Sequence, residues 1–329
     1  MDMRRLAFGA LGLLLCLVSS AALATTPNWP DPTRSVQTIV PAQSGSGVGN
    51  TIARLVMDAL AGQLGNRIVL QNFTSSNNFP GMLTSIETNV EGYTLLFATV
   101  DTLVIEPALQ RAPAFEPLDA FVPIGLVAEI PHVLVVNKNL PIHSVEELTA
   151  YIGRYPGMVH FGSSGNGSAL HLAGEAYMSA TGTNMVHVPY SAAEPAINNL
   201  VNGDIQAIFQ VVSGVLNYVR TEKVRALAVM SSERSPALPD VPSMAEAGHP
   251  SLQAAKWYAL FAPRGTPAEI IERYNSALNT LLKSPEVRER LLEIGASPLG
   301  GSPEALGQFL AQENEKWGRV IEDAHLQPR

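Results

Sequence analysis

Cysteine is almost absent from this chain: Cys16 is the single one among 329 residues. It falls in an N-terminal segment laid out like an export signal. Arg4 and Arg5 form a basic start, Leu6 to Val18 an apolar run, and Ala22-Leu23-Ala24 a small-x-small cleavage site. Residues 1–24 therefore read as a signal peptide, with Thr25 as the first mature residue. Bulky Leu15 before Cys16 argues against a lipid anchor, and the Arg pair lacks the flanks of a twin-arginine signal. A mature chain without cysteine excludes disulfides, thiolate metal sites and cysteine nucleophiles. Positive charge is also scarce. Taking Arg4, Arg5 and Asp2 from 21 basic and 29 acidic residues leaves 19 and 28, net −9. There is no basic stripe, so no nucleic-acid partner is expected. Long apolar runs are missing too: the Leu6–Val18 run is short for a membrane span, and no later run reaches its length. His132, His143, His160, His171 and His187 show no metal-ligand spacing, so neither a metal nor a cofactor is expected.

What remains is 46% hydrophobic and 15% charged, enough for a sizeable core and most naturally two α/β lobes. The chain is organised around Phe161 to Glu175, FGSSGNGSALHLAGE. Met158 to Phe161 reads as a buried strand and Gly162 to Gly167 as a turn of Ser, Gly and Asn. Ser168 opens a helix with Leu170, Leu172, Ala173 and Tyr177 on its apolar side. Such a turn leaves backbone N–H groups unpaired at the positive end of a helix dipole, which favours an anion. Ser163, Ser164, Asn166 and Ser168 add donors without charge. The same residues also suit a plain tight βα turn.

Elsewhere strands and helices alternate. Strands are read at Ser35–Pro41, Arg67–Gln71, Gly92–Ala98, Met185–Val188, Ile205–Phe209, Val224–Met230 and Trp257–Ala262. Helices are read at Thr51–Leu64, Gly81–Val90, Ala192–Val201, Val215–Thr221, Pro267–Leu282, Pro285–Ile294 and Pro303–Ala324, and one capped by Ser144 with Glu147 in capping-box spacing. Phe73–Phe79 reads as a loop, Ser235–Pro250 as a proline-rich connector, and Val122–Val136 as two strands parted by Ile130-Pro131. The alternation predicts a parallel sheet covered on both faces. SGSGVGN at 44–50 matches SSGNGSA at 163–169, each between a strand and a helix. Ligands gather outside the carboxyl ends of such strands, so two facing turns suit a small carboxylate or phosphate.

Catalytic motifs fit poorly. Gly45, Gly47 and Gly49 give G-x-G-x-G, not the dinucleotide G-x-G-x-x-G, and Gln71-Asn72 supply no ribose acid. Gly162-Ser163-Ser164-Gly165 is not G-x-S-x-G. His171, one turn past the cradle, either reaches a ligand or packs on the turn. Asp101 follows the third strand and either lines a cleft or caps the next helix. Lys256, Trp257 and Tyr258 serve as hinge packing or pocket wall. Glu146, Glu147, Glu289, Glu313 and Glu315 read as solvated helix faces.

Several stretches, in order, resemble one family. They are EGYTLLFAT (91–99), FEPLDAFVPIGLVAEIPHVLVVN (115–137), FGSSGNGSALHLAGE (161–175), VHVPYSAAEPAINNLVNGDI (186–205), VRALAVMSSERSPALPDVPSMAEAG (224–248), WYALFAPRGTP (257–267) and PEVRERLLEIGASPLGGSPE (285–304). The chain resembles the Bug receptors, the periplasmic solute receptors of tripartite tricarboxylate transporters. The resemblance implies a type II periplasmic-binding-protein fold, two α/β lobes with a hinge and a ligand cleft between them. Residues 25–127 and 251–329 would form lobe 1, and 128–250 lobe 2. It implies a non-enzymatic, monomeric receptor in the periplasm that captures a small organic carboxylate and delivers it to integral-membrane transporter subunits.

From the turns themselves and from the resemblance together, the candidate ligand contacts fall at Gln43, Ser44, Gly45, Ser46, Gly47 and Asn50. Others fall at Asn78, Thr99, Asp101, Ser163, Asn166, Gly167, Ser168, His171, Tyr190 and Gln210. Two loops depart from the family. QSGSG (43–47) stands where Pro-Ala-Gly-Gly is usual, with Asn50 at the family's aspartate. FTSSNN (73–78) lacks the usual arginine and glycine pair. Losing the aspartate disfavours a ligand ammonium, so a dicarboxylate or an aromatic acid is expected over an amino acid. Two rival readings remain: a secreted serine hydrolase using Ser163 or Ser164 with His171, and a ligand sensor for signalling.

Overall fold

The computed structural model describes residues 29–41, 47–73, 90–110 and 117–326. The expectations for residues 1–24, the loop at 74–79 and the helix at 81–89 lie outside these residues, as do Gln43, Ser44, Gly45, Ser46 and Asn78.

β1 (Val36–Val40) pairs parallel with β2 (Ile68–Asn72) and with β3 (Thr94–Thr99). The crossover from β1 to β2 is α1 (Gly47–Leu64), whose Ile52, Leu55, Val56 and Leu60 are buried at helical spacing as read. α1 starts at Gly47, four residues earlier than expected, so Asn50 lies in its first turn. A second parallel set joins β5 (His160–Ser163) to β6 (Val186–Pro189) and β7 (Ala207–Val211). α3 (Ala169–Thr181) and α4 (Ala193–Asn202) supply its crossovers, after α2 (Val145–Arg154) and before α5 (Val212–Arg220).

The sheet is mixed rather than parallel throughout. β4 (Phe121–Asn137) and β9 (Ala255–Pro263) run antiparallel between the two parallel sets, in the order β2-β1-β3-β9-β4-β7-β5-β6. β8 (Val224–Val229) and β10 (Ser297–Gly300) also pair antiparallel with β4. Parallel pairing needs a long crossover, usually a helix, and the 231–254 connector into β9 contains none. Residues 122–136, read as two strands, are one. Pro131 sits where β4 passes from partner β9 to partners β7 and β8, so its missing N–H falls at the exchange. A short strand, β10, went unread because Pro298 and Gly300 mask it.

Both faces of the sheet are covered, as expected. Along β3, Leu95 and Phe97 join the core with α1 and α6 (Ala268–Lys283), while Leu96 and Ala98 join the core under α8 (Pro303–Asp323). α7 (Pro285–Glu293) lies between α6 and β10 in the chain. Glu313, read as a solvated face, is instead buried on α8. Its Oε2 accepts from Trp257 Nε1 at 2.9 Å and from Trp317 Nε1 at 3.0 Å. Two indoles from different elements converge on one carboxylate, which the charge pattern of the helix alone does not reveal.

The fit around β5 is tight. A Cβ on Gly174 of α3 would lie 2.3 Å from Phe161 Cε2, and Phe161 is fully buried. Alanine is the better helix former, by about 1 kcal/mol. Overpacking a rigid ring costs about 1–3 kcal/mol, so Gly174→Ala is expected to lower stability by up to about 2 kcal/mol in urea denaturation. A variant as stable as the parent would show that Phe161 yields freely.

Candidate functional site

Two helix N-termini open on one cavity of about 1000 Å³. The first is that of α1, after β1, with Gly47, Val48, Gly49 and Asn50 on the wall. The second is that of α3, after β5, with Ser164 through Leu170 on the wall. Neither helix carries an acidic residue in its first turn, so nothing in its own sequence neutralises its dipole. Gly49 is there for space: a Cβ would come within 3.1 Å of the Tyr258 ring.

The turn before α3 is built from behind. Ser163 is buried, and its Oγ donates to Gly165 O (3.0 Å), accepts from Gly165 N (3.1 Å) and lies 2.7 Å from His187 Nε2. His171 accepts from Gly167 N at Nδ1 (3.1 Å), which leaves the proton on Nε2, facing Glu175 at 3.1 Å. His187 stacks on His171 with centroids 3.7 Å apart. Burial, and then His171, hold its pKa down at about 4. Ser168 caps α3 by accepting from His171 N (3.2 Å) and donates to Gly165 O (2.9 Å).

Asp101 reaches the same helix from the other side. It opens a π-helical turn, Asp101–Ile105, directly after β3. Its Oδ1 accepts from Ala169 N at 3.3 Å and its Oδ2 pairs with Lys256 Nζ at 3.0 Å. It therefore does cap a helix, though not its own: it caps α3, 68 residues away. Burial pushes its carboxyl up, but Lys256 and the Ala169 N–H outweigh this and hold it below the usual range. Asp101 in turn pushes the Lys256 ammonium up, against the effect of burial. Lys256 therefore stays charged.

The cavity wall includes Gly47, Asn50, Thr99, Asp101, Asn166, Gly167, Ser168 and Gln210 of the sequence-derived set. Ser163, His171 and Tyr190 are not on it. Ser163 and His171 brace the turn, and the Tyr190 hydroxyl accepts from Asn199 Nδ2 at 2.8 Å. Asn50 Oδ1 accepts from Asn72 Nδ2 at 2.7 Å. The Ser163–His171 pairing of the rival hydrolase reading does not form: the histidine beside Ser163 is His187. Sequence reasoning missed His132, which lines the cavity from β4. Its signal was a lone polar residue inside the apolar run IPHVLVV. Lys256 and Tyr258 also line the cavity, the pocket-wall alternative of the two read for them. No group of metal-ligating side chains occurs among the described residues.

Comparison with known proteins agrees with this architecture. Residues 52–326 match the family model described as tripartite tricarboxylate transporter family receptor. Protein BugT of Bordetella pertussis is 32% identical over 324 residues, covering 98% of each chain. Among solved structures, R. palustris Rpa4515 with adipate is 31% identical with a TM-score of 0.80, covering 92% of this chain and 100% of that one. MatC from Rhodopseudomonas palustris with bound malate is 30% identical with a TM-score of 0.74, covering 88% and 100%. By matched length, identity and fold together, the chain belongs to the tripartite tricarboxylate transporter receptor family.

Proposed function

We propose that the protein is a periplasmic receptor that captures a small organic carboxylate, favouring a dicarboxylate over an amino acid, and delivers it to membrane transporter subunits without transforming it. The observation that carries this reading is the pair of helix N-termini, neither with an acidic residue in its own first turn, that open on one cavity. A carboxylate there faces the positive ends of both helix dipoles, the Ala169 N–H of α3 being already given to Asp101. Each charge-assisted bond contributes roughly 1.5–3 kcal/mol when buried. A handful, less the cost of association, supports micromolar binding. The adipate and malate bound by relatives are the same chemistry. Asn50 lies in the first turn of α1 and brings no charge that would hold an ammonium. The export signal read at residues 1–24 fits a periplasmic site of action.

The test is a thermal-shift screen of residues 25–329 against mono-, di- and tricarboxylic acids, with amino acids included. A ligand at 100 times its dissociation constant adds about 2.7 kcal/mol, a shift of a few degrees. A shift confined to dicarboxylates is the expected result. A shift with aspartate equal to that with malate would overturn the preference, and no shift with any acid would overturn the receptor reading.

A further inference from the structure

The cavity has a second polar wall, made by strands rather than helix ends. β4 and β9 pair with Ile130 opposite Lys256 and Ala128 opposite Tyr258. Strand alternation puts Lys256 and Tyr258 on one face of β9, and His132 on the same face of β4, two residues past Ile130. All three line the cavity. His132 and Tyr258 are both 0% exposed. Yet neither ring nitrogen of His132 nor the Tyr258 hydroxyl has a hydrogen-bond partner among the described residues. Folded interiors rarely leave such atoms unpaired, and here three share one wall.

The donors on this wall outnumber its acceptors. Lys256 gives one of its three N–H groups to Asp101 and keeps two. Gln210 Oε1 accepts from Val211 N at 2.8 Å, which leaves its NH₂ for the cavity. Neutral His132 offers one N–H, and Tyr258 its O–H. Glu106 also lines the cavity and acts on Lys256 together with Asp101, while the Asp101 carboxylate is matched on both sides, by Lys256 and by the N-terminus of α3. Since Asp101 touches both Ala169 N and Lys256 Nζ, the helix end and the ammonium stand one carboxylate apart.

We propose that His132, Lys256 and Tyr258 form a second subsite in the cleft, which takes the far carboxylate of a short-chain diacid whose near carboxylate sits at the α1 and α3 N-termini. Asp101 is a positioning residue for it, holding Lys256 in place. The inference rests on the carboxylate-receptor reading and adds to it the residues that select for two acid groups.

Calorimetric titration of the mature protein with succinate, glutarate and adipate, each against the monoacid of equal length, tests the subsite. The native protein is expected to bind its best diacid at least tenfold more tightly than the matched monoacid. Tyr258→Phe removes one hydroxyl and is expected to weaken the diacid about tenfold, and Lys256→Gln about 100-fold. Tyr258→Phe leaves the Asp101–Lys256 pair intact and should move monoacid affinity less than diacid affinity, whereas Lys256→Gln also strips Asp101 of its partner beside α3 and should weaken both acids, the diacid more. Tyr258→Phe keeps the ring against Gly49, so it guards against a Lys256 variant that folds poorly. Equal affinity for monoacid and diacid would overturn the subsite and leave the receptor reading standing. Equal losses for both acids in the variants would overturn it as well. Failure to bind any of these acids would overturn both.

Discussion

Acidifying the ligand-free protein from pH 7 to pH 4 is expected to cost about 3 kcal/mol of stability through His132 alone. Burial holds the His132 ring down at about 3; Asp101 opposes this, and Lys256 and Lys316 reinforce it. The unfolded chain gains a proton at this residue near pH 6.5, and the folded chain does not until about pH 3. Between those values the unfolded state binds more protons, so stability falls as pH falls. Each unit of separation is worth about 1.4 kcal/mol, and at pH 4 about 2.5 units have been crossed. His187 acts with the same sign over a shorter range, since its ring is held at about 4. Asp101 has its carboxyl held low, so its contribution is lost only at more acidic pH, below the unfolded carboxylate range. Urea denaturation at pH 7 and pH 4 separates these effects. His132→Gln should lose about 3 kcal/mol less than the parent on acidification. Parallel losses in the two proteins would mean that the ring is protonated in the folded state or meets water.

Glu313→Ala is expected to cost about 3–5 kcal/mol. Its Oε2 is the acceptor for both Trp257 Nε1 and Trp317 Nε1, and both indoles are 1% exposed. Removing it leaves two buried donors unpaired at about 1–3 kcal/mol each, along with a small void. Lys316, which pairs with Glu313 Oε1, is about a third exposed and turns to water at little cost. Glu313→Gln keeps an acceptor oxygen and should lose less than half as much. Guanidinium unfolding followed by tryptophan fluorescence reads both variants. A Glu313→Ala protein within about 1 kcal/mol of the parent would show that the indoles find other acceptors. Trp257 lies between Lys256 and Tyr258 on β9, so stability here also governs how firmly that wall is held.

What could be read from sequence follows from the range of the interactions involved. The periodic apolar residues of α1 and α3, and the Ser168 cap, are local signals, and they led to both helix ends of the site. The Asp101–Lys256 pair joins residues 155 positions apart in the sequence, and no local pattern announces it. Glu313 looked solvated because a helix surface pattern cannot register a tryptophan arriving from β9. Pro131 looked like a break because proline usually is one, and only the sheet shows that its missing N–H falls where β4 changes partners. His132 fits no metal-ligand spacing, and its informative property is its place on the cavity wall. Ser163 and His171 were placed at the right turn but on its inner side, where hydroxyl and imidazole hold the backbone instead of facing the cavity.

The continuity of β4 bears on how the chain comes apart. Residues 121–131 complete one half of the sheet and 132–137 the other, so neither half has a full set of strands without the same segment. A chain cut near residue 128 would keep 132–137 with β7 and β8 but part 121–128 from its partner β9. Loss of either half exposes the edge on which the other depends. Heating should therefore produce a single calorimetric transition with matching van't Hoff and calorimetric enthalpies, instead of the two that a chain of independent modules would show.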